Sequence, residues 1–325
     1  MKQRTKQTTM KYSFLNQIAR NILSANFKQR EILHQLKRLI TKAAYLGRPQ
    51  YEAAARKLFK FFSLNLNEIS IDKLPQKVFT VGNAKLPFLN WSNLPGFNCP
   101  GAGTCFFWIK KTAGTFGGWC YSFKGWRNAY PFTRQLLSTM LERGPVYRLL
   151  IVAELRRILN TRKFKDLAAV PFRLYVDGDF PNVEILRFWM DTLKRFPQIR
   201  AYGYSKSLNL FLELDKTGYQ WPKNYALNLS GGGIYENTRT AQKVKDLPIY
   251  RGEFVPVKVS KQCLENWQKQ TLTKADRREL RSKMPHQKVF ICPKYCGSCT
   301  LIKDNPHACG NRDQFKNIKI ILPVH

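Results

Sequence analysis

Acidic residues are scarce in this chain: 21 Asp and Glu stand against 55 Lys and Arg, for a formal net charge of +34 over 325 residues. No requirement of folding calls for such an excess, which extends electrostatic reach toward polyanions and opposes compaction by self-repulsion. A nucleic-acid partner is the expectation that follows. Long apolar runs are lacking too, so no membrane span and no membrane partner are expected. Residues 1–11 are polar and basic with no apolar segment behind them, so no secretory signal is expected and an intracellular, reducing compartment (cytoplasm or organelle interior) is inferred. There is no Walker-type phosphate loop, no His-x-His pair, no internal repeat and no low-complexity tail. Histidine is rare, at four residues, and His34 and His286 have no partner visible in the sequence.

Cysteine is not rare, and it is not scattered. Of eight cysteines, three fall within Cys99-Pro-Gly-Ala-Gly-Thr-Cys105 and the following Trp119-Cys120-Tyr121. Four more form Cys292-x3-Cys296-x2-Cys299-x9-Cys309, with His307 close by. Without a secretion signal, reduced metal-binding thiols are favoured over disulfides. Four thiolates at loop spacing can close a tetrahedral zinc site or hold an iron–sulfur cluster. The three of the first group leave one coordination position open, the arrangement of a site that performs chemistry. Cys263 stands alone on a helical face and reads as a core residue.

The order of elements predicts an α/β fold with a mostly parallel sheet, open or curled into a partial barrel. Residues 1–66 read as a basic helical hairpin, with fourteen Lys or Arg and two acids, Glu31 and Glu52, in the first sixty positions. Residues 67–285 read as the α/β core with the cysteine loop, and 286–325 as a Cys-rich metal-binding segment with a final strand. Strands are expected at 78–81, 172–176, 199–204, 225–229, 254–259, 288–291 and 318–322. Helices are expected at 131–143, 146–160, 181–196, 207–214 and 262–281. Alternation of this kind places the functional loops at the carboxyl ends of the strands.

The remaining chemical motifs fall in those loops. Asp177-Gly178-Asp179-Phe180-Pro181 puts two carboxylates on one turn in a basic chain; they could hold a cation, act as bases or meet a ligand's amino group, and one of them could cap the helix that follows. Tyr204-Ser205-Lys206-Ser207 and Ser230-Gly231-Gly232-Gly233 could present backbone amides to an anion.

Gly82-Asn83-Ala84-Lys85, Cys99-Pro100, Cys105, Cys120-Tyr121, Gly178-Asp179-Phe180, Tyr204-Ser205-Lys206-Ser207 and the late cysteine cluster together resemble the "gene product eighty-eight" family of phages, plasmids and related elements, over about residues 78–325. The layout is also similar to that of radical-SAM enzymes, which place three cysteines after the first strand of a partial barrel. That resemblance implies an iron–sulfur cluster on Cys99, Cys105 and Cys120, and S-adenosylmethionine held by Gly178, Asp179, Ser205, Lys206, Gly231 and Gly232. Gaps of five and fourteen residues replace the usual three and two, and the run with the usual spacing, Cys292 to Cys299, comes late, as an auxiliary cluster or zinc knob. The expectation is an iron–sulfur protein of a mobile element acting on or bound to nucleic acid. The alternatives are a non-enzymatic DNA- or RNA-binding protein with zinc staples, as in plasmid or phage replication, and a nuclease using Asp177 and Asp179 with a divalent metal.

Overall fold

The computed structural model describes residues 78–79, 86–96, 98–105, 120, 122, 129–296, 299 and 308–324, together with Ala53. Save for Ala53, the expected basic hairpin over 1–66 lies outside them. The chain order is β1 (Leu89–Asn90), α1 (Ala129–Arg143), α2 (Pro145–Leu159), β2 (Val170–Leu174), α3 (Val183–Arg195), β3 (Ile199–Ser205), α4 (Leu208–Asp215), β4 (Tyr225–Ser230), α5 (Arg239–Val244), β5 (Tyr250–Lys258), α6 (Lys261–Lys269), α7 (Lys274–Ser282), β6 (Val289–Ile291), α8 (Arg312–Phe315) and β7 (Lys319–Val324). The seven strands form one sheet in the order β1-β2-β3-β4-β5-β7-β6, and every pairing is parallel.

That order explains the layering. From β1 to β5 the chain always steps the same way across the sheet, and right-handed crossovers then put every connecting helix on one face. The main core accordingly joins α1 to α5 with one face of the strands, through Phe132, Ile151, Trp189, Phe211 and Val244 packed on Leu89, Phe172, Leu174, Ala201, Tyr225 and Leu227. The final strands reverse the direction, because β7 inserts between β5 and β6. The connection from β6 to β7 therefore belongs on the opposite face. It carries Cys292, Cys296, Cys299 and Cys309 and then α8, whose Phe315 meets Phe290 of β6 edge-on at 5.4 Å.

Helix α3 shows how the sequence dictates its burial. Asn182 accepts from the Ile185 N–H at 2.9 Å, a side-chain cap that fixes the start. Ile185, Leu186, Trp189, Met190 and Leu193 then recur on one stripe and are buried. Each such side chain contributes roughly 1.5–3 kcal/mol of transfer free energy. Trp189 sits 5.2 Å from Trp91, 5.8 Å from Phe172 and 6.4 Å from Phe79.

Two expectations about elements need correction. Val78 and Phe79 are not in a strand; they are buried in the main core, and among the described residues the first strand is Leu89–Asn90. The apolar run at 78–79 marks core packing, a distinction that periodicity in so short a segment does not make. The helix expected at 262–281 is two helices. Gln270 ends α6 in the left-handed region at φ 62°, and Thr273 with Asp276 forms a capping box that starts α7. Thr-x-x-Asp is a start signal in its own right.

Candidate metal centre at the carboxyl ends of the strands

The loop after β1 folds back over the ends of β3 and β4. The Gly103 and Cys105 N–H groups both donate to the Gly232 carbonyl, at 3.1 and 3.3 Å, and Ile234 N–H donates to the Gly101 carbonyl at 3.0 Å. Gly101 is obligatory here, since a Cβ would stand 1.8 Å from the Lys206 carbonyl oxygen. Cys99 and Cys105 pack against Ala102. The Cys99 thiol lies within electrostatic reach of Cys120 and Cys105, and burial, then Asp179, pushes its pKa well up. Burial pushes the Cys120 thiol up to about 11, with Cys105 and Asp177 adding to the effect. The three predicted thiols are thus brought to one place, and burial of the Cys99 and Cys120 sulfurs favours their protonated form in the absence of a cation.

Among the described residues, the trio of ligand atoms all within 4.8 Å of one another is Cys263, Asp276 and Glu279. Neither predicted cysteine group is drawn that tightly. Thiolates on a single tetrahedral zinc stand about 3.8 Å apart, given bonds of ~2.3 Å. The Cys263 trio is otherwise engaged: Asp276 accepts from Thr273 N–H and Oγ1 at 2.8 Å each. Glu279 holds Ser260 through its backbone N–H at 2.5 Å and its hydroxyl at 2.8 Å.

The Asp177–Asp179 turn follows β2 directly. Gly178 has φ +78°, and a Cβ there would meet Asn93 at 2.8 Å, so the turn packs on the segment leading to Cys99. Asp179 is buried and fully used. One carboxylate oxygen accepts from Ser205 Oγ and Phe180 N–H, at 2.8 Å each. The other accepts from Lys206 N–H at 2.7 Å and Ser207 N–H at 3.1 Å. It positions the β3 loop on which Gly101 rests, and burial raises its pKa despite those donors. Asp177 is half-buried and lies within electrostatic reach of Cys120.

The glycine loop is likewise a positioning element. Gly231 N–H donates to the Phe254 carbonyl at 2.9 Å and Gly232 N–H to Glu236 at 2.9 Å, so these amides face protein groups and the Gly232 carbonyl carries the cysteine loop. Lys206 Nζ donates to Ser230 Oγ at 2.7 Å. Beside them opens a cleft of about 580 Å³ lined by Lys206, Ser230, Tyr235, Lys245, Phe254 and Lys319 among others, within the size range of small-molecule sites.

Beneath the site lies a polar network that the sequence did not announce. Glu142 of α1 is buried. It accepts from Tyr175 Oη at 2.6 Å, Trp91 Nε1 at 2.7 Å and Asn93 Nδ2 at 3.0 Å. One turn earlier, Thr139 accepts from Leu94 N–H at 2.9 Å and from Asn98 Nδ2 at 3.0 Å, and Arg143 donates to Asn98 at 2.8 Å. Helix α1 thus holds Trp91, Asn93, Leu94 and Asn98, on the approach to Cys99. Tyr175 takes φ 58°, a costly conformation for a bulky residue. Its hydroxyl bond to Glu142 and its edge-on contact with Phe180 at 4.6 Å hold it there.

A model of the Gene product 88 family matches residues 65–305, well over half of the chain. The chain belongs to the Gene product 88 family. No curated protein and no solved structure matches it.

The second cysteine group of this Gene product 88 member sits on the other face of the sheet, against Tyr202, Tyr204, Phe88 and Ala226. Cys309 is pushed up to about 12, by burial first and then Cys292. Cys292 is pushed up to about 11, by burial and then Cys296 and Cys299. All four therefore share one neighbourhood. Arg251, fully buried, clamps it: the guanidinium donates to Asn228 Oδ1 at 2.6 Å and to the Phe315 and Ile318 carbonyls at 3.3 and 2.8 Å. Asn228 Nδ2 in turn donates to the Cys309 carbonyl at 3.0 Å. Arg251 and Glu142 are positioning residues that sequence reasoning missed. An Arg inside a strand pattern of a basic chain is a weak signal, and a lone Glu on a helix is a weaker one. Among the described residues no helix is long and apolar enough to cross a membrane.

Proposed function

We propose that this protein is an iron–sulfur protein of radical-SAM-like layout that acts on, or is bound to, nucleic acid. One observation carries the reading: the segment bearing Cys99, Cys105 and Cys120 follows β1, its 101–105 loop is hydrogen-bonded over the carboxyl ends of β3 and β4, and an acidic turn after β2 lies beside it. Cys99, Cys105 and Cys120 would hold the reactive cluster. Three thiolates suit an iron centre with one open position, and a spacing beyond 4.8 Å suits several metal atoms better than one. Such a cluster, when bound, supplies one-electron chemistry to S-adenosylmethionine.

This chain's own residues do the positioning. Asp179 holds Ser205, Lys206 and Ser207 in place, and Lys206 presents its ammonium at the mouth of the cleft. Asp177, half-buried beside Cys120, is the carboxylate that can meet an amino group. Phe254 and Tyr235 offer aromatic surface for a base or ring. Cys292, Cys296, Cys299 and Cys309 would hold a second, auxiliary centre or a zinc. The net charge of +34 supports a polyanionic partner.

A second reading makes both cysteine groups structural staples of a DNA- or RNA-binding protein of a mobile element. It is favoured by the full engagement of Asp179, Gly231 and Gly232 within the protein. Anaerobic purification separates the two. The first reading expects a brown protein with broad visible absorbance, reduced on replacing Cys99, Cys105 or Cys120 by Ser. A colourless protein with stoichiometric zinc would remove it and leave the second.

A further inference from the structure

Helix α7 carries its charges in an unusual division. Lys274, Arg277, Arg278 and Arg281 fall at i, i+3, i+4 and i+7, on one side of the helix, and all four are exposed. The acids of the same helix are turned away from them. Asp276 is spent on the capping box and on Asn266, at 2.9 Å, and Glu279 holds Ser260 at the start of α6. Among the described residues none of the four cations makes a side-chain hydrogen bond, ion pair or ring contact. Other surface cations do find partners: Arg187 lies over Tyr219 at 5.2 Å, Lys194 is 3.9 Å from Asp191, and Lys261 is 4.0 Å from Glu265; what sets α7 apart is four unengaged cations in line on one helix side.

Like charges at i,i+4 each destabilise a helix by a few tenths of a kcal/mol. A merely solvated face would intersperse acids and avoid that. The stripe spans about 10 Å at 1.5 Å per residue, which is the axial rise of about three phosphates at ~3.4 Å each along one strand. Its far end leads to the cleft beside the cysteine loop, since Met284, just beyond the helix, lines that cleft together with Lys206 and Gly233.

We propose that α7 is the phosphate-backbone docking face of this protein, with Lys274, Arg277, Arg278 and Arg281 on successive phosphates of a nucleic-acid strand led toward the cleft. The proposal rests on the nucleic-acid part of the function proposed above and adds which surface carries it. The contact is to backbone and carries no base specificity.

The test uses the full chain and labelled single-stranded DNA, duplex DNA and RNA of one sequence, titrated between about 50 and about 200 mM salt. The variant replaces all four cations by Gln, a good helix former; a matched control replaces Arg156, Arg162, Lys163 and Lys165, also exposed, and circular dichroism checks both for folding. A paired Lys274→Gln/Arg278→Gln variant is the milder form. The slope of log affinity against log salt should become shallower by about 3–4 on duplex and by about 3 on a single strand in the fourfold variant, and by half as much in the paired one. The control should keep the wild-type slope. Equal slopes for the fourfold variant and wild type, or an equal fall in the control, overturn the docking face while leaving nucleic-acid binding intact. Failure of wild type to bind any of the three probes at low salt, or binding only to anionic vesicles, defeats the nucleic-acid reading itself.

Discussion

The buried carboxyl of Glu142 offers the sharpest quantitative check on how the cysteine loop is held. Burial raises its pKa from the ordinary 4.5 to about 7 against the opposing pull of Tyr175, Asn93 and Trp91. Between those two pH values the folded protein binds this proton and the unfolded chain does not, so stability must fall as pH rises from 4.5 to 7. At ~1.4 kcal/mol per unit, the fall is about 3 kcal/mol, and it ends once pH exceeds the folded pKa. Glu142→Gln removes the titration while keeping the shape: its amide oxygen can accept from Trp91 and Asn93, and its amide nitrogen can donate to Tyr175. It should cost about 1–2 kcal/mol in acid and flatten the pH dependence by about 3 kcal/mol. Glu142→Ala instead strands the Tyr175 hydroxyl and the Asn93 amide, at ~1–3 kcal/mol each, with a cavity besides; against a typical stability of 5–15 kcal/mol it should unfold readily. Urea unfolding at about pH 5 and about pH 8 measures all three proteins. A wild type and a Gln variant with the same pH slope would refute a buried, proton-bound Glu142.

Other expectations follow from the same geometry. Gly101→Ala places a methyl against the Lys206 carbonyl, backbone on backbone, so the loop must lift from β3; metal content of the first group should drop while the second group keeps its own, as read by metal analysis after anaerobic purification. Asp179→Asn turns an amide N–H₂ toward two backbone or hydroxyl donors, at about 2–4 kcal/mol, and should loosen Ser205 to Ser207, seen as faster hydrogen exchange at Lys206 and Ser207. Arg251→Met keeps the bulk but leaves Asn228 and the Phe315 and Ile318 carbonyls unmet; on the proposed function, metal should be lost from the Cys292–Cys309 group and kept by Cys99, Cys105 and Cys120. Equal loss at both groups would contradict the separation of the two cysteine groups.

Most of the fold was legible because local signals and global order agree. Strands at 199–205 and 225–230 were read to within a residue from their apolar runs and flanking turns, and α3 was read at 181–196, although its cap is Asn182 and not an Asp of the preceding turn. The β1 strand was missed because two residues show no period, and α6 and α7 were fused because a left-handed Gln270 has no strong signature. The cysteine groups were visible as spacing. Their separate placement, the first over the strand ends and the second on a sheet face, was not, nor were the roles of Glu142 and Arg251, since each joins segments tens of residues apart.

Residue composition and order alone determined the cationic surface, the two thiol-bearing loops and the alternation that makes a parallel sheet, since each is a property of neighbouring positions. Only the tertiary structure decided where those loops lie. The steady step from β1 to β5 stacks the helices on one side, and the reversed step through β6 and β7 carries the late cysteines to the other. Crossover handedness acts on whole strands and helices, at a range that no local pattern of residues encodes.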